Sequence, residues 1–229
     1  DSRLIYDYVL QRVFLIIPLY KLKKYDNQNK EKFIALDPGV RIFQTYYGEK
    51  SCGTIGEDAN LLYKKINDKI EKLKGILINN KNRHGEKLRN RKSIKKKIYK
   101  LRNKLKNKIM DLRNKGANYI CKNYERILLP SFEVSQMVKK EKDLSRKTRR
   151  EMLSLSHYKF KQHIQHKSEE YGCKIEIVDE AYTSKCCGKC GILSKTYVNR
   201  VKKCPSCKIE INRDINGSYN ILLKNVKKL

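Results

Sequence analysis

Four cysteines towards the C-terminal end of the chain have the spacing of a metal site. They form two CxxC pairs, Cys187 with Cys190 and Cys204 with Cys207, separated by thirteen residues. Two tight turns can bring four thiolates around a tetrahedral Zn2+, and glycine or proline beside each pair permits such turns. The pattern therefore predicts a structural zinc site. Cys186 is expected to lie outside it, because only Cys187 has the two-residue gap to Cys190.

Two aspartates could contribute chemistry of another kind. Asp37 ends an apolar stretch that begins at Lys32, and Pro38-Gly39 follows it. Polynucleotidyl transferases of the RNase H type place their first metal ligand at such a strand end. The alternative is that Asp37 only begins a turn, which Asp-Pro-Gly favours. Asp214 follows the last cysteine pair, within Arg213-Asp214-Ile215-Asn216, and opens a predicted helix.

Strands and helices that could position these residues follow from the hydrophobic pattern. Alternating apolar residues mark strands, and apolar residues at steps of three and four mark helices. The predicted elements are one or two strands within 1–25, strands at 32–37, 42–46 and 50–56, two helices between 58 and 119, a strand at 126–130, a helical stretch at 144–171, a strand at 173–179 and a helix at 214–226. The two helices between 58 and 119 are predicted to pair as an antiparallel hairpin, with the turn at 79–85.

The chain is strongly basic. It has 54 Lys and Arg against 24 Asp and Glu, a formal charge of +30, and residues 61–113 hold twenty basic and four acidic residues. A polyanion partner is the direct interpretation, and nucleic acid fits it best. Two alternatives are a genome whose base composition favours Lys and Asn codons, and a solvated coiled-coil surface. A coiled-coil surface would normally mix Glu with Lys.

The remaining cysteines and the apolar runs bear on the compartment. Cys52, Cys121 and Cys173 are scattered singly, which fits a reducing, intracellular compartment with one metal site. The longest apolar run is short and broken by Pro18, so no membrane association is expected. Histidines in the stretch 144–171 are expected to be surface or packing residues. The chain starts at Asp1 in an apparent strand, and we expect it to be a fragment of a longer protein.

Several motifs occur in one order along residues 10–225. They are Ala35-Leu36-Asp37-Pro38-Gly39-Val40-Arg41, Leu129-Pro130-Ser131-Phe132-Glu133, Ser156-His157-Tyr158, Glu180-Ala181-Tyr182-Thr183-Ser184-Lys185, the two cysteine pairs and Arg213-Asp214-Ile215-Asn216-Gly217. Together they resemble the transposon-encoded TnpB proteins, and most of all their Fanzor relatives and the TnpB proteins linked to serine recombinases. The resemblance implies an RNase H-like (RuvC) domain with a mixed sheet, interrupted by a zinc ribbon. It also implies an RNA-guided DNA endonuclease that binds guide RNA and target DNA.

The same resemblance implies roles for individual acidic residues. Asp37 matches the first RuvC carboxylate and Asp214 the last. The middle glutamate of ordinary TnpB proteins falls on Pro130, whereas Fanzor-like members use a glutamate just before the ribbon, which corresponds to Glu180. Glu133 is the alternative if the preceding strand ends three residues later. Three such carboxylates can hold two catalytic Mg2+ ions about 4 Å apart.

The resemblance finally implies a division of the chain. Residues 1–30 would be a remnant of an N-terminal wedge β domain, 31–181 the RuvC domain with the basic hairpin, 182–211 the zinc ribbon, and 212–229 the last RuvC segment. Because the wedge and recognition domains of the family are otherwise absent, a non-catalytic nucleic-acid-binding zinc protein, either a relic or a transposition regulator, is the alternative function. The expected location is the nucleus or a viral factory in a eukaryotic or viral setting, and the cytoplasm otherwise.

Overall fold

The computed structural model describes residues 1–20, 30–57, 59–79, 90–131, 145–194 and 200–225. The strands are β1 (Arg3–Asp7), β2 (Arg12–Ile16), β3 (Glu31–Pro38), β4 (Gln44–Gly48), β5 (Cys52–Ile55), β6 (Tyr124–Pro130), β7 (Lys174–Val178), β8 (Val201–Lys203) and β9 (Glu210–Asn212). The helices are α1 (Ala59–Asn79), α2 (Arg91–Asn123), α3 (Arg146–Leu155), α4 (His157–Tyr171) and α5 (Arg213–Asn225). None of these five helices combines the length and the apolar character that crossing a bilayer requires.

Five strands form one mixed sheet in the order β5-β4-β3-β6-β7. Strand β3 pairs antiparallel with β4 and parallel with β6, and β7 lies parallel to β6. Parallel neighbours need crossover connections, and helices provide them between β3 and β6 and between β6 and β7. The predicted α/β fold with a mixed sheet is therefore confirmed, and its central strand is the one that ends at Asp37-Pro38.

One face of this sheet packs against α5. The buried cluster there consists of Ala35, Leu128, Val178, Ile221 and Leu222. Ala35 and Leu128 are direct neighbours across the parallel β3 and β6 strands. Because side chains alternate along a strand, Asp37 lies on the same face as Ala35, two residues nearer the strand end. The hydrophobic packing of α5 thus brings a helix against the face that carries Asp37.

The opposite face is covered by α4 and by the C-terminal part of α2. Helix α4 buries residues at steps of three and four, from His157 through Phe160 and Ile164 to Ser168. The Phe160 ring meets the Phe43 ring edge-to-face, with centroids 4.9 Å apart. These contacts fix the residues that link β3 to β4, because Phe43 lies immediately before β4.

The predicted helical stretch at 144–171 is two helices. Ser156 separates α3 from α4 with φ +52° and ψ 54°, the left-handed conformation. Its hydroxyl donates to the carbonyl of Leu153 at 3.2 Å. The helical hydrophobic period continues across Ser156, which is why the sequence pattern predicted no break there.

By internal contacts the chain divides into two compact units, residues 1–22 with 61–111, and residues 23–60 with 112–229. In the first, β1 and β2 form an antiparallel hairpin. Its helical part buries apolar residues at helical spacing, Ile66 and Ile70 on α1 and Ile98 and Leu105 on α2. The turn predicted between these helices falls, apart from Asn79, outside the described residues. The four-part division drawn from the resemblance stays a prediction.

Candidate active site and metal centre

Asp37 lies at a close approach between the sheet and α5. It occupies the end of β3, where it pairs in register with Thr45 of β4. Gly217 of α5 faces it, and a Cβ placed on Gly217 would overlap Asp37 Oδ2. A glycine in a helix interior lowers helix stability, so its place here has a spatial reason. Because Gly217 has no side chain, α5 can pack this close to the Asp37 carboxylate.

This close approach predicts the effect of Gly217→Ala. Such a change in a helix normally stabilises it by about 0.5–1 kcal/mol. Here we expect destabilisation by about 1–3 kcal/mol, as overpacking produces, because the Cβ displaces either α5 or Asp37. Urea unfolding would measure it. Gly75→Ala in α1 is the matched control, since nothing lies within 4 Å of the Cβ there. Equal stabilisation by both changes would contradict the prediction.

Three of the predicted acidic residues line one cavity of about 430 Å³. Asp37 comes from β3, Glu180 from the segment after β7, and Asp214 from the first turn of α5. Its remaining lining is Pro38, Gly39, Val40, Arg41, Ile42, Thr45, Thr183, Ser184 and Arg213. Glu133, the alternative to Glu180, lies outside the described residues. The structure thus brings together Asp37, Glu180 and Asp214, which are 34 or more residues apart in the chain.

Negative charge is concentrated in this cavity. The pKa of Asp37 is raised from its usual 3.8 to about 7, chiefly by burial and also by the neighbouring Glu180 and Asp214 carboxylates, against the opposing effect of Arg213. Burial, with the adjacent Asp179, also raises the pKa of Glu180. Arg213 Nη2 donates to Asp214 Oδ1 at 3.1 Å. Two arginines, Arg41 and Arg213, share the cavity with three carboxyl groups, and an added divalent cation would relieve the repulsion that remains among the carboxylates.

The donor set suits a hard divalent cation. Carboxylate oxygens are the ligands that Mg2+ prefers, and hydroxyl-bearing Thr183 and Ser184 share the cavity. Among the described residues, the four cysteines are the one group of acidic, histidine or cysteine side chains close enough to enclose a single ion. The three carboxylates are spread more widely. Such a spread is compatible with a pair of ions about 4 Å apart, which distributes its ligands over a longer distance than one ion does.

A buried histidine holds the turn beside Asp37. The Nε2 atom of His157 lies 3.1 Å from the Gly39 carbonyl, which can only accept, so Nε2 carries the proton. Nδ1 then accepts from Gln44 Nε2 at 3.4 Å, and the ring stacks on Phe43 at 5.3 Å. Burial lowers the pKa of His157 to about 4, so the ring is neutral at physiological pH. The expectation of a packing role holds for His157, but its contact with the cavity wall was not foreseen.

The four predicted zinc ligands converge in the ribbon. The Sγ atoms of Cys187, Cys190, Cys204 and Cys207 all lie within 4.8 Å of one another. Two of the separations are 3.8 Å, from Cys187 to Cys207, and 3.6 Å, from Cys190 to Cys204. A tetrahedron of sulfurs about 2.3 Å from a central Zn2+ has edges of about 3.8 Å. The donor set and spacing thus fit zinc, while the Cys186 thiol turns away and donates to the Gly191 carbonyl at 3.4 Å.

The first cysteine pair is joined to α5 by side-chain amides. Asn216 Nδ2 donates to the Cys186 carbonyl at 2.8 Å, and its Oδ1 accepts from the Gly188 amide at 2.9 Å. Asn220 Nδ2 donates to the same Cys186 carbonyl at 2.9 Å. The buried ammonium of Lys202, just before the second pair, donates to the Lys185 carbonyl at 2.8 Å. The zinc ribbon and the helix that carries Asp214 are therefore held together by several hydrogen bonds.

Comparisons with known proteins show which proteins the chain resembles. Residues 157–221 match a domain described as Cas12f1-like, TNB domain. A putative transposase of Paramecium bursaria Chlorella virus 1 is 32% identical over 221 residues, 92% of this chain and 47% of that protein. A TnpB-like protein of Acanthamoeba polyphaga mimivirus is 25% identical over 225 residues, 97% of this chain and 42% of the relative. This chain therefore spans about half the length of these relatives or slightly less.

Two further matches concern CRISPR proteins. The CRISPR-associated endodeoxyribonuclease Cas12f1 of Sulfoacidibacillus thermotolerans is 36% identical over 78 residues, 32% of this chain and 18% of that protein. A cryo-EM structure of a CRISPR-Cas12f ternary complex superposes with a TM-score of 0.50 at 23% identity, over 91% of this chain and 41% of that one, which shows a shared fold. The finer likeness to Fanzor and to serine-recombinase-linked proteins stays a prediction. The domain match, and relatives aligned with more than nine-tenths of the chain, show that it is similar to TnpB-like proteins and viral transposases along almost its whole length.

Proposed function

We propose that the chain is the nuclease part of a transposon-associated, RNA-guided DNA endonuclease, and that Asp37, Glu180 and Asp214 carry the hydrolysis of a phosphodiester bond. The observation that supports this most is that three carboxylates from three separate segments line one cavity. The endodeoxyribonuclease name of one relative supports the reaction class. Because the chain spans about half of its longer relatives, the activity and partners of the whole protein are part of the proposal.

The cavity residues would act through bound Mg2+. The Asp37 carboxylate interacts electrostatically with both Glu180 and Asp214, so it would help to hold both Mg2+ ions. Glu180 and Asp214 would each complete the ligands of one ion. Such a pair activates a water molecule and stabilises the leaving 3′ oxygen of an in-line displacement. Asp37 must release its proton before it can ligate. Arg213 keeps the Asp214 carboxylate oriented through its hydrogen bonds.

The zinc ribbon would fix the distance between two of these carboxylates. Glu180 precedes the first cysteine pair and Asp214 follows the second, so the ribbon spans the chain between them. The Glu180 carbonyl accepts from the Thr183 amide at 3.2 Å and from the Thr183 hydroxyl at 2.8 Å, which ties it to the turn before the ribbon. In this proposal zinc acts on cleavage through structure alone.

The basic helices would contact the backbones of guide RNA and target DNA. Helix α2 carries thirteen Lys and Arg and a single acidic residue, Asp111. In the first compact unit, α2 and the β1–β2 hairpin line a cavity of about 800 Å³ to which Lys100, Lys104 and Lys108 contribute. Lysines at steps of four form one row along a helix, which suits a row of phosphates.

Metal binding and cleavage together test the proposal. We expect Asp37→Asn, Glu180→Gln and Asp214→Asn each to lower Mg2+-dependent cleavage of single-stranded DNA by about 10³-fold, because the metal contributes several kcal/mol to such reactions. Mn2+ binding, followed by EPR, should weaken in the same variants. For the wild type, Mn2+ affinity should rise about tenfold per pH unit up to a pH of about 7 and then level off, as Asp37 loses its proton.

Asp179→Asn is the matched control. Asp179 neighbours Glu180 in sequence, but its carboxylate does not line the cavity and pairs with Lys224 at 2.6 Å. Its loss should change cleavage far less than the loss of a cavity carboxylate, since it removes an exposed ion pair and a neighbouring charge that raises the pKa of Glu180. Cleavage by Asp37→Asn at the wild-type rate would refute the nuclease proposal. Binding of nucleic acid without Mn2+ binding or cleavage by the wild type would favour the non-catalytic zinc protein.

A further inference from the structure

Tyr182 has a backbone conformation that aromatic residues rarely adopt. Its φ is +67°, in the left-handed region, where a bulky L-residue is an outlier. The conformation is held by the chain that follows, since the Tyr182 carbonyl accepts from the amides of Lys185 at 2.9 Å and Cys186 at 3.1 Å. The side chain is nevertheless 67% exposed. A strained backbone that presents an aromatic ring to solvent is a reason to look for a ligand.

The ring lies at a second cavity, of about 590 Å³, between the ribbon and α5. Its walls are mainly apolar or small, and they include Tyr182, Leu193, Leu223 and Gly191. Thr183 lines both this groove and the carboxylate cavity. The two cavities therefore share one wall residue, and a ligand lying against Tyr182 would be close to the group held by Asp37, Glu180 and Asp214.

Two lysine side chains lie at the edge of the groove, and one of them, Lys224, is ion-paired with Asp179. Lys185 Nζ lies 5.8 Å from the centre of the Tyr182 ring. Lys224, which lines the groove, donates to Asp179 Oδ2 and to the Ala181 carbonyl, so its ammonium is anchored at that edge. Mainly apolar walls, an exposed aromatic ring and the Lys185 ammonium match an unpaired nucleotide, whose base has a flat face and whose phosphate is negative.

We propose that Tyr182 and this groove bind an unpaired nucleobase of the DNA strand that enters the carboxylate cavity, with Lys185 contacting the adjoining phosphate. This inference rests on the proposed nuclease function, and it says where the DNA substrate of that reaction would bind. The strand would reach the carboxylates past Thr183, and the stacked base would fix which phosphate lies at them. Tyr182 is thus a substrate-binding residue near the phosphate that is cleaved. The position along the strand at which cleavage occurs would depend on it.

The test compares two single-stranded octamers, oligothymidylate and an octamer of abasic sites with the same number of phosphates. Fluorescence anisotropy without divalent metal would give their affinities for the wild-type chain, Tyr182→Phe, Tyr182→Gly and Tyr182→Asn. Gly and Asn tolerate the left-handed conformation, so both variants should fold at least as well as the wild type. Ultraviolet cross-linking of 5-iodouracil octamer to the wild type, read by mass spectrometry, reports the contact directly.

We expect Tyr182→Gly and Tyr182→Asn to bind oligothymidylate about 5- to 150-fold more weakly, the range for loss of one stacked base. Tyr182→Phe should bind oligothymidylate as tightly as the wild type does. The affinity of each variant for the abasic octamer should stay within about twofold of the wild-type value. The salt dependence of binding should keep its slope, because no phosphate contact is removed. Cross-linking should map to Tyr182.

Equal weakening for both octamers, equal weakening in Tyr182→Phe, or cross-links confined to other residues would overturn the proposal. Concentration-dependent dimerisation of the wild type that Leu223→Asp abolishes would assign the groove to a second copy and overturn it as well. The result does not depend on catalysis, since no divalent metal is present and Asp37→Asn can serve as the background. Normal base binding by Tyr182→Gly alongside Mg2+-dependent cleavage would refute this inference alone.

Discussion

Asp37→Asn is expected to stabilise the metal-free, zinc-loaded chain at pH 8 by up to about 4 kcal/mol while it removes cleavage. The carboxyl of Asp37 has a pKa raised from 3.8 to about 7 by burial and by Glu180 and Asp214. A shift of one pKa unit corresponds to about 1.36 kcal/mol, which gives the upper limit. Asparagine has the same shape and carries no charge, so it avoids this cost. A residue needed for catalysis would then lower the stability of the resting protein.

The sign of the pH dependence follows from proton binding. Between pH 4 and 7 the folded chain holds a proton on Asp37 that the unfolded chain has lost, so wild-type stability falls as pH rises through this window. Below pH 4 both states are protonated, and wild type and Asp37→Asn should have similar unfolding free energies. Above pH 7 the difference should be constant.

Urea unfolding at several pH values, with zinc present and Mg2+ and Mn2+ absent, would measure the difference. Asp179→Asn is again the control, because Asp179 is exposed and paired with Lys224. Added Mn2+ should stabilise the wild type at pH 8 and leave Asp37→Asn unchanged. A difference between wild type and Asp37→Asn that does not vary with pH would contradict the assignment of the buried charge to Asp37.

Loss of zinc is expected to unfold the ribbon and to reduce cleavage by about 100-fold or more. Structural zinc contributes about 10–16 kcal/mol of apparent binding free energy in zinc-finger peptides, which a short ribbon with two three-residue strands cannot replace. Without the ribbon, the Cys186 carbonyl and the Gly188 amide lose their fixed positions against Asn216 and Asn220. Displacing a catalytic group by about 1 Å can cost about 100-fold in rate.

Cys207→Ser and Cys186→Ser form a matched pair for this prediction. Cys207 belongs to the four-cysteine cluster, whereas Cys186 adjoins it in sequence and lies outside it. Only Cys207→Ser should lower the zinc content, the folded fraction of the ribbon and the cleavage rate. In the wild type, chelation should have the same effect, and added zinc should restore activity. Full cleavage by a zinc-free chain would show that the ribbon has no part in positioning the carboxylates.

Local patterns predicted the elements and the residues at their ends. The apolar stretch that ends at Asp37 located β3, and the cysteine spacing located the ribbon. The side of the sheet on which Asp37 lies also follows from alternation, once Ala35 is known to be buried against α5. The middle carboxylate could not be derived from spacing. Glu180 reaches the cavity through the turn after β7, and local periodicity does not describe such a turn.

Features that depend on two distant segments were not predictable. The need for glycine at position 217 appears only when α5 lies against β3, and the role of His157 only when α4 lies beside the turn at Gly39. The second helix of the hairpin was predicted to end by residue 119, yet α2 continues to Asn123. The last turns of α2 bury Ala117, Ile120 and Cys121 in the second compact unit, whereas its earlier turns belong to the first. Because the helix is continuous, the sequence pattern does not mark this change.

Asp214, Asn216 and Gly217 lie within about one turn at the start of α5, and each faces a different neighbour. Asp214 faces the acidic cavity, Asn216 the ribbon backbone and Gly217 the Asp37 side chain. A helix advances by about 100° per residue, so inserting or deleting one residue between Asp214 and Gly217 would rotate these three out of phase. We therefore expect that short segment to tolerate no change of length, because a single-codon indel there would misplace Asp214 at the cavity relative to the contacts with the ribbon and with Asp37.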